Sequence, residues 1–343
     1  MVGGAGTALF SSDFQSRHPP HPDPLPPEGR RGGRRTALKR RGVPVHGWVA
    51  FDKPVGMTST QAVGRVRRAF NAEKAGHGGT LDPLASGMLP IALGEATKTV
   101  AYAMAGLKRY RLTVRWGEAT ATDDAEGDVT LTSPVRPSEA QIRAALPQFT
   151  GDIMQVPSTY SAILVDGVRA YELARAGETV ELQPRAIRID AFELIAIDDE
   201  NHATFEVVSG KGAYMRSLGR DLARVLGTVG HLSALRRLTV GRFTVDQSIS
   251  VDMLDQLGHI PALSEHLLPI ETALDDIPAL ALSEAEALRL RQGQSVPSPC
   301  PPDRATIDQL GNGSIVSVSA SGKLVALAEF DAGMLRPVRV LNL

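Results

Sequence analysis

One carboxylate stands inside a glycine- and proline-rich stretch whose composition is otherwise typical of a surface loop. Residues 76–90 read GHGGTLDPLASGMLP, with Asp82 in the middle and His77 five residues before it. An aspartate that a loop presents to a pocket can act as a covalent nucleophile. The same residues also fit an ordinary turn that happens to contain an aspartate, so this stretch alone leaves both interpretations open.

The chain lacks several common catalytic and cofactor-binding motifs, which limits the classes of reaction it could catalyse. The sequence contains no GxxxxGK[ST] loop, no strand-linked dinucleotide fingerprint, no GxSxG elbow and no HExxH spacing among its eight histidines. A single cysteine, Cys300, rules out an intramolecular disulfide framework and a cysteine-rich zinc site. GKGAYMR at 210–216 resembles a phosphate loop only in its alternating glycines. We therefore expect chemistry without metal or cofactor, for which a carboxylate is the natural candidate.

Charge is distributed unevenly along the 343 residues, although the formal net charge is only −1. Residues 1–45 hold eight Lys or Arg against three Asp or Glu and are rich in proline and glycine, which predicts a disordered extension. A basic arm that touches phosphates is the alternative for this segment. Because the chain as a whole is not basic, any nucleic-acid binding requires a local patch. The candidates for it are Lys108, Arg109, Arg111, Arg115, Arg236 and Arg237.

The patterns along the chain predict a mixed α/β fold of the α+β class around a mainly antiparallel sheet. A buried strand at 45–52 leads through a turn into a helix capped by Thr58 or Ser59. Further predicted elements are strands at 110–116 and near 238–245, a hairpin formed by 186–197 and 203–208, and a helix at 214–226. The poorly periodic residues 155–180 predict an insertion or flexible loop.

Three domains are expected from these patterns. They are the extension at 1–45, a catalytic domain at 46–275 and a small β-rich domain at 280–343. No run of about 18 apolar residues predicts a membrane helix, and no secretory signal is visible at the N-terminus. We therefore expect a cytoplasmic protein without a membrane partner.

Several motifs in fixed order resemble the bacterial family of tRNA pseudouridine synthases that act on uridine 55 of the T-arm, the TruB type. The matching segments are HGWVAFDKPVGMTS, KAGHGGTLDPLASGMLPIALGEATK, KRYRLTVRWG, VPSTYSA, GKGAYMRSLGRDLA and GHLSALRRLTVG. The resemblance covers roughly 45–249 densely and the C-terminal part more loosely. The loop departs from the family in one place, since Gly78 stands where many relatives have threonine.

The resemblance implies a function and a fold. Members of the family isomerise uridine to pseudouridine in place, without cofactor or metal, after flipping the base out of the RNA. They combine a pseudouridine-synthase catalytic domain, with an insertion that grips RNA near 155–180, and a small PUA-like C-terminal domain. The expected partner is the T-arm of tRNA, and we expect a monomer with no obligate protein partner.

The resemblance also assigns roles to seven residues by motif position. Asp82 is the expected nucleophile, kept ionised by Arg216, and Tyr214 is expected to bind the base or help move the C5 proton. Four residues are expected to contact substrate: His77 takes the place of the flipped nucleotide, Tyr110 stacks on the base, Leu235 touches the uracil, and Lys53 holds a phosphate or supports the pocket.

Two alternatives stay open at this stage. The first is a pseudouridine synthase with another RNA target, because Asp82, Tyr110 and Arg216 would be needed equally. The second is an RNA chaperone that remodels tRNA without chemistry. Whether Asp82 attacks C1′ of the ribose or the uracil ring is also undecided by the sequence.

Overall fold

The structure, a computed structural model, describes residues 42–257, 260–299 and 310–343. Within them the strands are β1 Gly47–Lys53, β2 Ala75–His77, β3 Ser86–Leu93, β4 Lys108–Trp116, β5 Glu118–Thr120, β6 Val129–Thr132, β7 Gly151–Gln155, β8 Leu164–Val165, β9 Val168–Arg169, β10 Arg185–Asp199, β11 His202–Ser209, β12 Gly230–Val240, β13 Phe243–Thr244, β14 Ala279–Ala281, β15 Val296–Pro297, β16 Ser314–Ala320, β17 Lys323–Asp331 and β18 Met334–Val340. The α-helices are α1 Ser59–Ala69, α2 Val100–Ala103, α3 Glu139–Ala145, α4 Ala170–Arg175, α5 Met215–Val225, α6 Val251–Leu257, α7 Ile260–Ser264 and α8 Glu284–Arg291.

The main sheet confirms the predicted mainly antiparallel architecture. Among the described residues it has nine strands in the order β1-β3-β12-β4-β11-β10-β7, with β2 added to β3 and β13 added to β12. The β3–β12 pair is parallel, and the other pairs in this sheet are antiparallel. Strand β12 therefore joins the two halves of the sheet, and it lies directly beside both β3 and β4.

Helix α1 begins where the sequence predicts and lies next to the loop that contains Asp82. Thr58 caps it through a capping box with Gln61, and Ala62 and Val66 bury the apolar side against the sheet. Helix α5 buries Met215, Leu218 and Leu222 in the same way. These two helices bring their first turns toward one region of the sheet.

The predicted strand near 238–245 is wrong in its limits. Strand β12 runs from Gly230 to Val240 and ends at Gly241, whose φ of +51° turns the chain back so that Val240 pairs with Phe243. The alternation across 238–245 therefore belongs to a hairpin rather than one strand. Register shifts at 232–234 and 237–239 interrupt the alternation of β12 itself and hide it from a period-two pattern.

The predicted insertion at 155–180 contains the short β8–β9 hairpin followed by α4. At the N-terminal side, most of the predicted extension lies outside the described residues. Val43, however, already bridges Ala72, so regular pairing begins before residue 45. Among the described residues, no helix combines the length and the apolar character that a bilayer crossing requires.

The C-terminal part forms a second sheet, as the predicted small β-rich domain requires. In the part of the chain that the structure describes, this sheet has five strands in the order β14-β16-β17-β18-β15, where the sequence predicted three. The buried side chains Leu324, Leu327 and Leu341 share a core with Trp48 of β1 and Phe243 of β13. The small sheet is therefore packed directly on the main one.

Candidate active site

The loop between β2 and β3 presents Asp82 on a fixed support. The Ser59 hydroxyl at the start of α1 donates to the carbonyl of Leu81 at 3.0 Å and accepts from its N–H at 2.9 Å. The N–H of Gly56 donates to the carbonyl of Pro83 at 2.8 Å. Because backbone groups on both sides of Asp82 are bonded, the loop holds its carboxylate in a defined place.

Arg216 lies in the first turn of α5 and pairs with Asp82. Its Nη2 is 2.9 Å from the Asp82 carboxylate, and its side chain is only 6% exposed against 38% for Asp82. The guanidinium also donates to the carbonyl of Thr122 at 2.9 Å and to that of Tyr160 at 2.8 Å. These contacts fix the fork of Arg216 so that it meets the loop carboxylate in one orientation.

A second carboxylate, Asp124, completes this cluster and was not singled out in the sequence. It is 3% exposed and lies 3.4 Å from Nε of Arg216, an atom without another hydrogen-bond partner. The Thr122 hydroxyl and the N–H of Glu126 donate to Asp124 at 2.5 and 3.0 Å. Sequence reasoning saw only an acidic loop here. The available signal was indirect: a buried arginine needs more negative charge than a half-exposed aspartate supplies.

Five of the seven predicted residues line one cavity of about 350 Å³: Asp82, Tyr110, Tyr214, Arg216 and Leu235. Tyr110 on β4 and Leu235 on β12 come from paired neighbouring strands. The volume is in the range of small-molecule sites. A planar ring can enter between apolar and aromatic walls while one edge faces the carboxylate of Asp82.

Tyr214 caps α5 with its backbone rather than with its side chain. Its N–H donates to the Gln155 side chain at 2.8 Å, and its carbonyl accepts from the same amide at 3.1 Å. The guanidinium of Arg185 lies 4.8 Å from the centre of its ring. The ring of Tyr214 and the guanidinium of Arg185 together form part of the cavity wall.

His77 does not line this cavity but the adjacent one, of about 600 Å³, which it shares with Asp82 and Arg216. Burial, and next the charge of Arg237, lowers the pKa of His77, and its Nδ1 is buried without a hydrogen-bond partner. The carboxylate of Asp82 is thus reached from two cavities, and His77 stands beside the second.

The surroundings of Lys53 favour the predicted support of the pocket over the predicted phosphate contact. The side chain is 0% exposed, and its ammonium donates to the carbonyls of Pro54, Met57 and Pro83 at 2.9, 2.7 and 3.5 Å. Burial lowers its pKa to about 8, although the charge of Asp82 opposes that shift. Lys53 supports the pocket by tying the turn after β1 to the Asp82 loop.

The predicted basic patch is mostly wrong. Arg109 and Arg111 both pair with Glu206, while Arg115 pairs with Glu118 at 2.7 Å and Arg236 with Asp52 at 2.7 Å. The two remaining members, Lys108 and Arg237, are buried. Arg109, Arg111, Arg115 and Arg236 share one face of the sheet, but each of them meets a carboxylate there, so the tract does not form one free cationic surface.

Arg237 instead holds the floor of the site. Its guanidinium donates to the carbonyls of Met88 at 2.7 Å and Gly79 at 2.9 Å, and it interacts with the hydroxyl of Tyr110. Gly87 lets the backbones of β3 and β12 approach closely, because a Cβ there would lie 2.1 Å from the backbone carbonyl oxygen of Arg237. The arrangement can bind a flat polar ring and offers a carboxylate for covalent attack, which is the architecture of a pseudouridine synthase.

Comparison with known proteins identifies the family. The model for the TruB family pseudouridylate synthase N-terminal domain matches residues 67–215, and the one for the tRNA pseudouridylate synthase B C-terminal domain matches 216–275. The tRNA pseudouridine synthase B of Rhodospirillum rubrum is 57% identical over 305 residues, which are 89% of this chain and 99% of that protein. The protein of the same name from Bradyrhizobium diazoefficiens is 53% identical over 304 residues, 87% of this chain and 86% of its own. The chain belongs to the TruB family of pseudouridine synthases.

Solved structures agree with this assignment at the level of fold. A chain of the archaeal box H/ACA sRNP Nop10–Cbf5 complex matches with a TM-score of 0.66 at 23% identity, covering 88% of this chain and 91% of that one. A chain of a Cbf5–Nop10–Gar1 complex matches with a TM-score of 0.64 at 25% identity, covering 87% and 84%.

Proposed function

We propose that this protein isomerises uridine to pseudouridine at position 55 in the T-arm of tRNA. The observation that carries the proposal is the pair of Asp82 and Arg216 at 2.9 Å, placed at a cavity of about 350 Å³. The names of its TruB relatives, tRNA pseudouridine synthase B, support tRNA as the substrate.

The target base must leave the RNA stack before it reaches Asp82, which costs a few kcal/mol. Stacking on Tyr110 offsets part of this cost, by about 1–3 kcal/mol for a base on an aromatic ring. Leu235 closes the opposite wall with apolar surface. His77, in the neighbouring cavity, fills the space that the extruded nucleotide leaves in the RNA.

The reaction is an isomerisation, so atoms and electrons balance without a co-reactant. The Asp82 carboxylate adds covalently, either to C1′ of the ribose or to the uracil ring, and the C1′–N1 bond breaks. The bonding electrons stay with the uracil, which turns so that C5 bonds to C1′. An Asp82 carboxylate bound to C1′ is displaced as that bond forms, whereas one bound to the uracil ring is eliminated afterwards together with the C5 proton. On either route the C5 proton is lost and N1 gains a proton. Tyr214, on the cavity wall, is placed to bind the base or to help transfer the C5 proton.

Arg216 holds the Asp82 carboxylate in place at the cavity. Its guanidinium lies 2.9 Å from that carboxylate, and because the arginine is nearly buried its charge is poorly screened by solvent. Asp124 in turn balances the charge of Arg216 from the other side.

The wider proposal follows from this chemistry. The enzyme requires neither metal nor cofactor, acts in the cytoplasm where tRNA is processed, and works as a monomer. Its catalytic domain spans 46–275, the 155–180 insertion grips the T-arm, and the small domain at 280–343 adds RNA contacts.

The test compares the wild-type protein with Asp82→Asn on an unmodified tRNA transcript. Pseudouridine is mapped by carbodiimide-dependent primer extension, and Asp252→Asn, an exposed carboxylate on α6, is the matched control. We expect a stop at the T-loop uridine with the wild type and the control but not with Asp82→Asn. A stop that persists with Asp82→Asn contradicts the assignment of Asp82 as the nucleophile. A stop that occurs only on other RNAs contradicts uridine 55 of tRNA as the target.

A further inference from the structure

Four cations line the catalytic cavity and form no ion pair among the described residues: Lys108, Arg185, Lys211 and Arg237. Arg237 already donates to the carbonyls of Met88 and Gly79, which leaves Lys108, Arg185 and Lys211. The arginines on the opposite face of β4 behave differently, since Arg109 and Arg111 both pair with Glu206. An excess of positive charge is therefore concentrated on the cavity rather than spread over the sheet.

Lys108 is the buried member of this group. It is 8% exposed, and the hydrogen bond that its ammonium makes is to the carbonyl of Met104. Tyr110 follows it by two positions on the same strand, so both side chains point to the same face of the sheet. Burial, and next the charges of Arg237 and Lys211, lowers the pKa of Lys108 to about 8, which is expected where cations crowd together.

Arg185 and Lys211 lie where the chain enters α5. Arg185 covers the ring of Tyr214 and donates to the carbonyl of Gly212, yet its Nε is buried without a hydrogen-bond partner. Lys211 is exposed between two glycines, and Gly212 has a φ of +93° with no atom closer than 3.9 Å to an added Cβ. The backbone there leaves room for a ligand to approach closely.

The charges inside the cavity require an anion besides Asp82. The carboxylate of Asp82 is already paired with Arg216, while uracil and ribose are neutral. A phosphodiester carries one negative charge and acceptor oxygens on several sides, which suits donors from three different elements. The first turn of α5 adds to this potential, because Tyr214 gives it no side-chain cap.

We propose that Lys108, Arg185 and Lys211 form a subsite for a backbone phosphate that flanks the flipped nucleotide. This inference rests on the proposed function, because the phosphate enters the cavity only with an extruded base. Negative charge on the uracil, released when the C1′–N1 bond breaks, is the other anion these cations could meet. The two sources differ in timing: a phosphate is bound before chemistry, and a uracil anion exists only during it.

The experiment measures binding of T-arm stem-loops in an Asp82→Asn background, so that turnover does not disturb the equilibrium. One stem-loop is all-phosphodiester, and two others carry a neutral methylphosphonate immediately 5′ or 3′ of the target uridine. Lys211→Met and the nearly isosteric Lys108→Met test the subsite, and Arg143→Met, an exposed arginine on α3, is the matched control. Each Kd is determined over a range of salt concentrations.

We expect Lys211→Met and Lys108→Met each to weaken binding about tenfold, the usual effect of a lost charge-assisted hydrogen bond. The slope of log K against log salt should become shallower by about 0.7 for each lost phosphate contact. One of the two methylphosphonate stem-loops should bind the parent protein more weakly than the all-phosphodiester stem-loop, by a similar factor. The same replacement should change the Kd of the Lys211→Met variant little. Arg143→Met should bind every stem-loop as the parent does.

Unchanged Kd values and salt slopes in both lysine variants would overturn the subsite. A fall in kcat in the otherwise wild-type protein, with Kd unaffected, would assign the cations to the uracil anion and also overturn it. Near-ultraviolet circular dichroism of each variant separates loss of fold from loss of contact. If the wild type forms no pseudouridine in the stem-loop, the proposed function fails, whereas the methylphosphonate comparison still reports on the subsite.

Discussion

Replacing Asp124 by asparagine should destabilise the protein more than the same change at Asp82, although Asp82 lies nearer to Arg216. The gross attraction of Asp124 to Nε at 3.4 Å is about 5 kcal/mol at an effective dielectric constant of ~20, which suits a group 3% exposed. Asp82 lies at 2.9 Å but is 38% exposed, and with water as the medium its attraction falls to about 1.4 kcal/mol. The two carboxylates therefore differ in their energetic contribution.

The net effects are smaller, because asparagine removes the desolvation cost of a buried charge. Breaking a buried pair costs about 3–5 kcal/mol, and Arg216 retains Asp82 and two carbonyls. We therefore expect Asp124→Asn to lower the free energy of unfolding by about 3 kcal/mol. For Asp82→Asn, a partly solvated pair, the expected loss is below about 1 kcal/mol.

Urea denaturation monitored by tryptophan fluorescence measures both changes, and an equal m-value verifies that the unfolding transitions are comparable. Activity follows from tritium release when tRNA carries 5-tritiated uridine, since the C5 proton leaves during isomerisation. Asp82→Asn should be inactive. Asp124→Asn should lose about 100-fold in kcat, because Arg216 no longer holds the nucleophile in its place. Equal or reversed stability losses would refute the reasoning that the buried partner anchors Arg216.

Three further predictions concern groups around the site. Between pH 8 and 10.5 the folded protein releases the Lys108 proton while the unfolded chain keeps it, so Lys108 should raise the free energy of unfolding there by at most about 1.4 kcal/mol per pH unit. Lys53, whose pKa burial also lowers to about 8, adds a rise of its own, so Lys108→Met should show a smaller rise than the wild type in urea titrations. Gly87→Ala should cost more than 3 kcal/mol by the same measurement, since its Cβ would lie 2.1 Å from the Arg237 carbonyl at a φ of +100°. Tyr110→Phe should keep most of kcat/KM because the stacking ring remains, whereas Tyr110→Ala should lose the equivalent of about 1–3 kcal/mol.

Each of these predictions has its own control. Lys323→Met, an exposed lysine, should keep the full rise in stability with pH, and an equal rise in Lys108→Met would contradict the assignment. Gly56→Ala has a similar φ of +81° with open space around it, so it should cost only about 1–2 kcal/mol, and equal losses at both glycines would exclude the close contact at Gly87 as the cause. Equal losses in Tyr110→Phe and Tyr110→Ala would mean that the hydroxyl, not the ring, matters.

The sequence predicted the site best where local motifs and the fold agree. Residues 76–90 combine chain reversals with a carboxylate, and the capped helix α1 supports them in the structure as the Thr58 and Ser59 pattern predicts. Tyr110, Tyr214, Leu235 and Arg216 meet Asp82 in one cavity, although they lie on separate elements. Motif order, rather than periodicity, carried that information, since a strand tyrosine or leucine is ordinarily core.

What the sequence did not reveal depends on pairing between distant segments. Asp124 is buried against Arg216, which comes from a distant helix, and no local pattern marks an aspartate as buried. The cations of β4 were predicted to form a free basic patch because their partner Glu206 lies nearly a hundred residues later in the chain, and a local pattern cannot show that pairing. The end of β12 was misplaced for a related reason: bulges shift its alternation, and pattern reading assumes an unbroken pleat.

The position of β12 in the sheet also determines at which point during synthesis the active-site cavity can form. The Asp82 loop belongs to the half formed by β1 and β3, whereas Tyr110 belongs to the half that begins with β4, and in the described sheet β12 is the strand that pairs with both. A growing chain that has made both halves still lacks the strand between them, so the ribosome must release about 240 residues before the cavity closes. Nascent chains shorter than this are therefore expected to be inactive. By the same connectivity, local unfolding that starts at β12 removes activity before either half of the sheet melts.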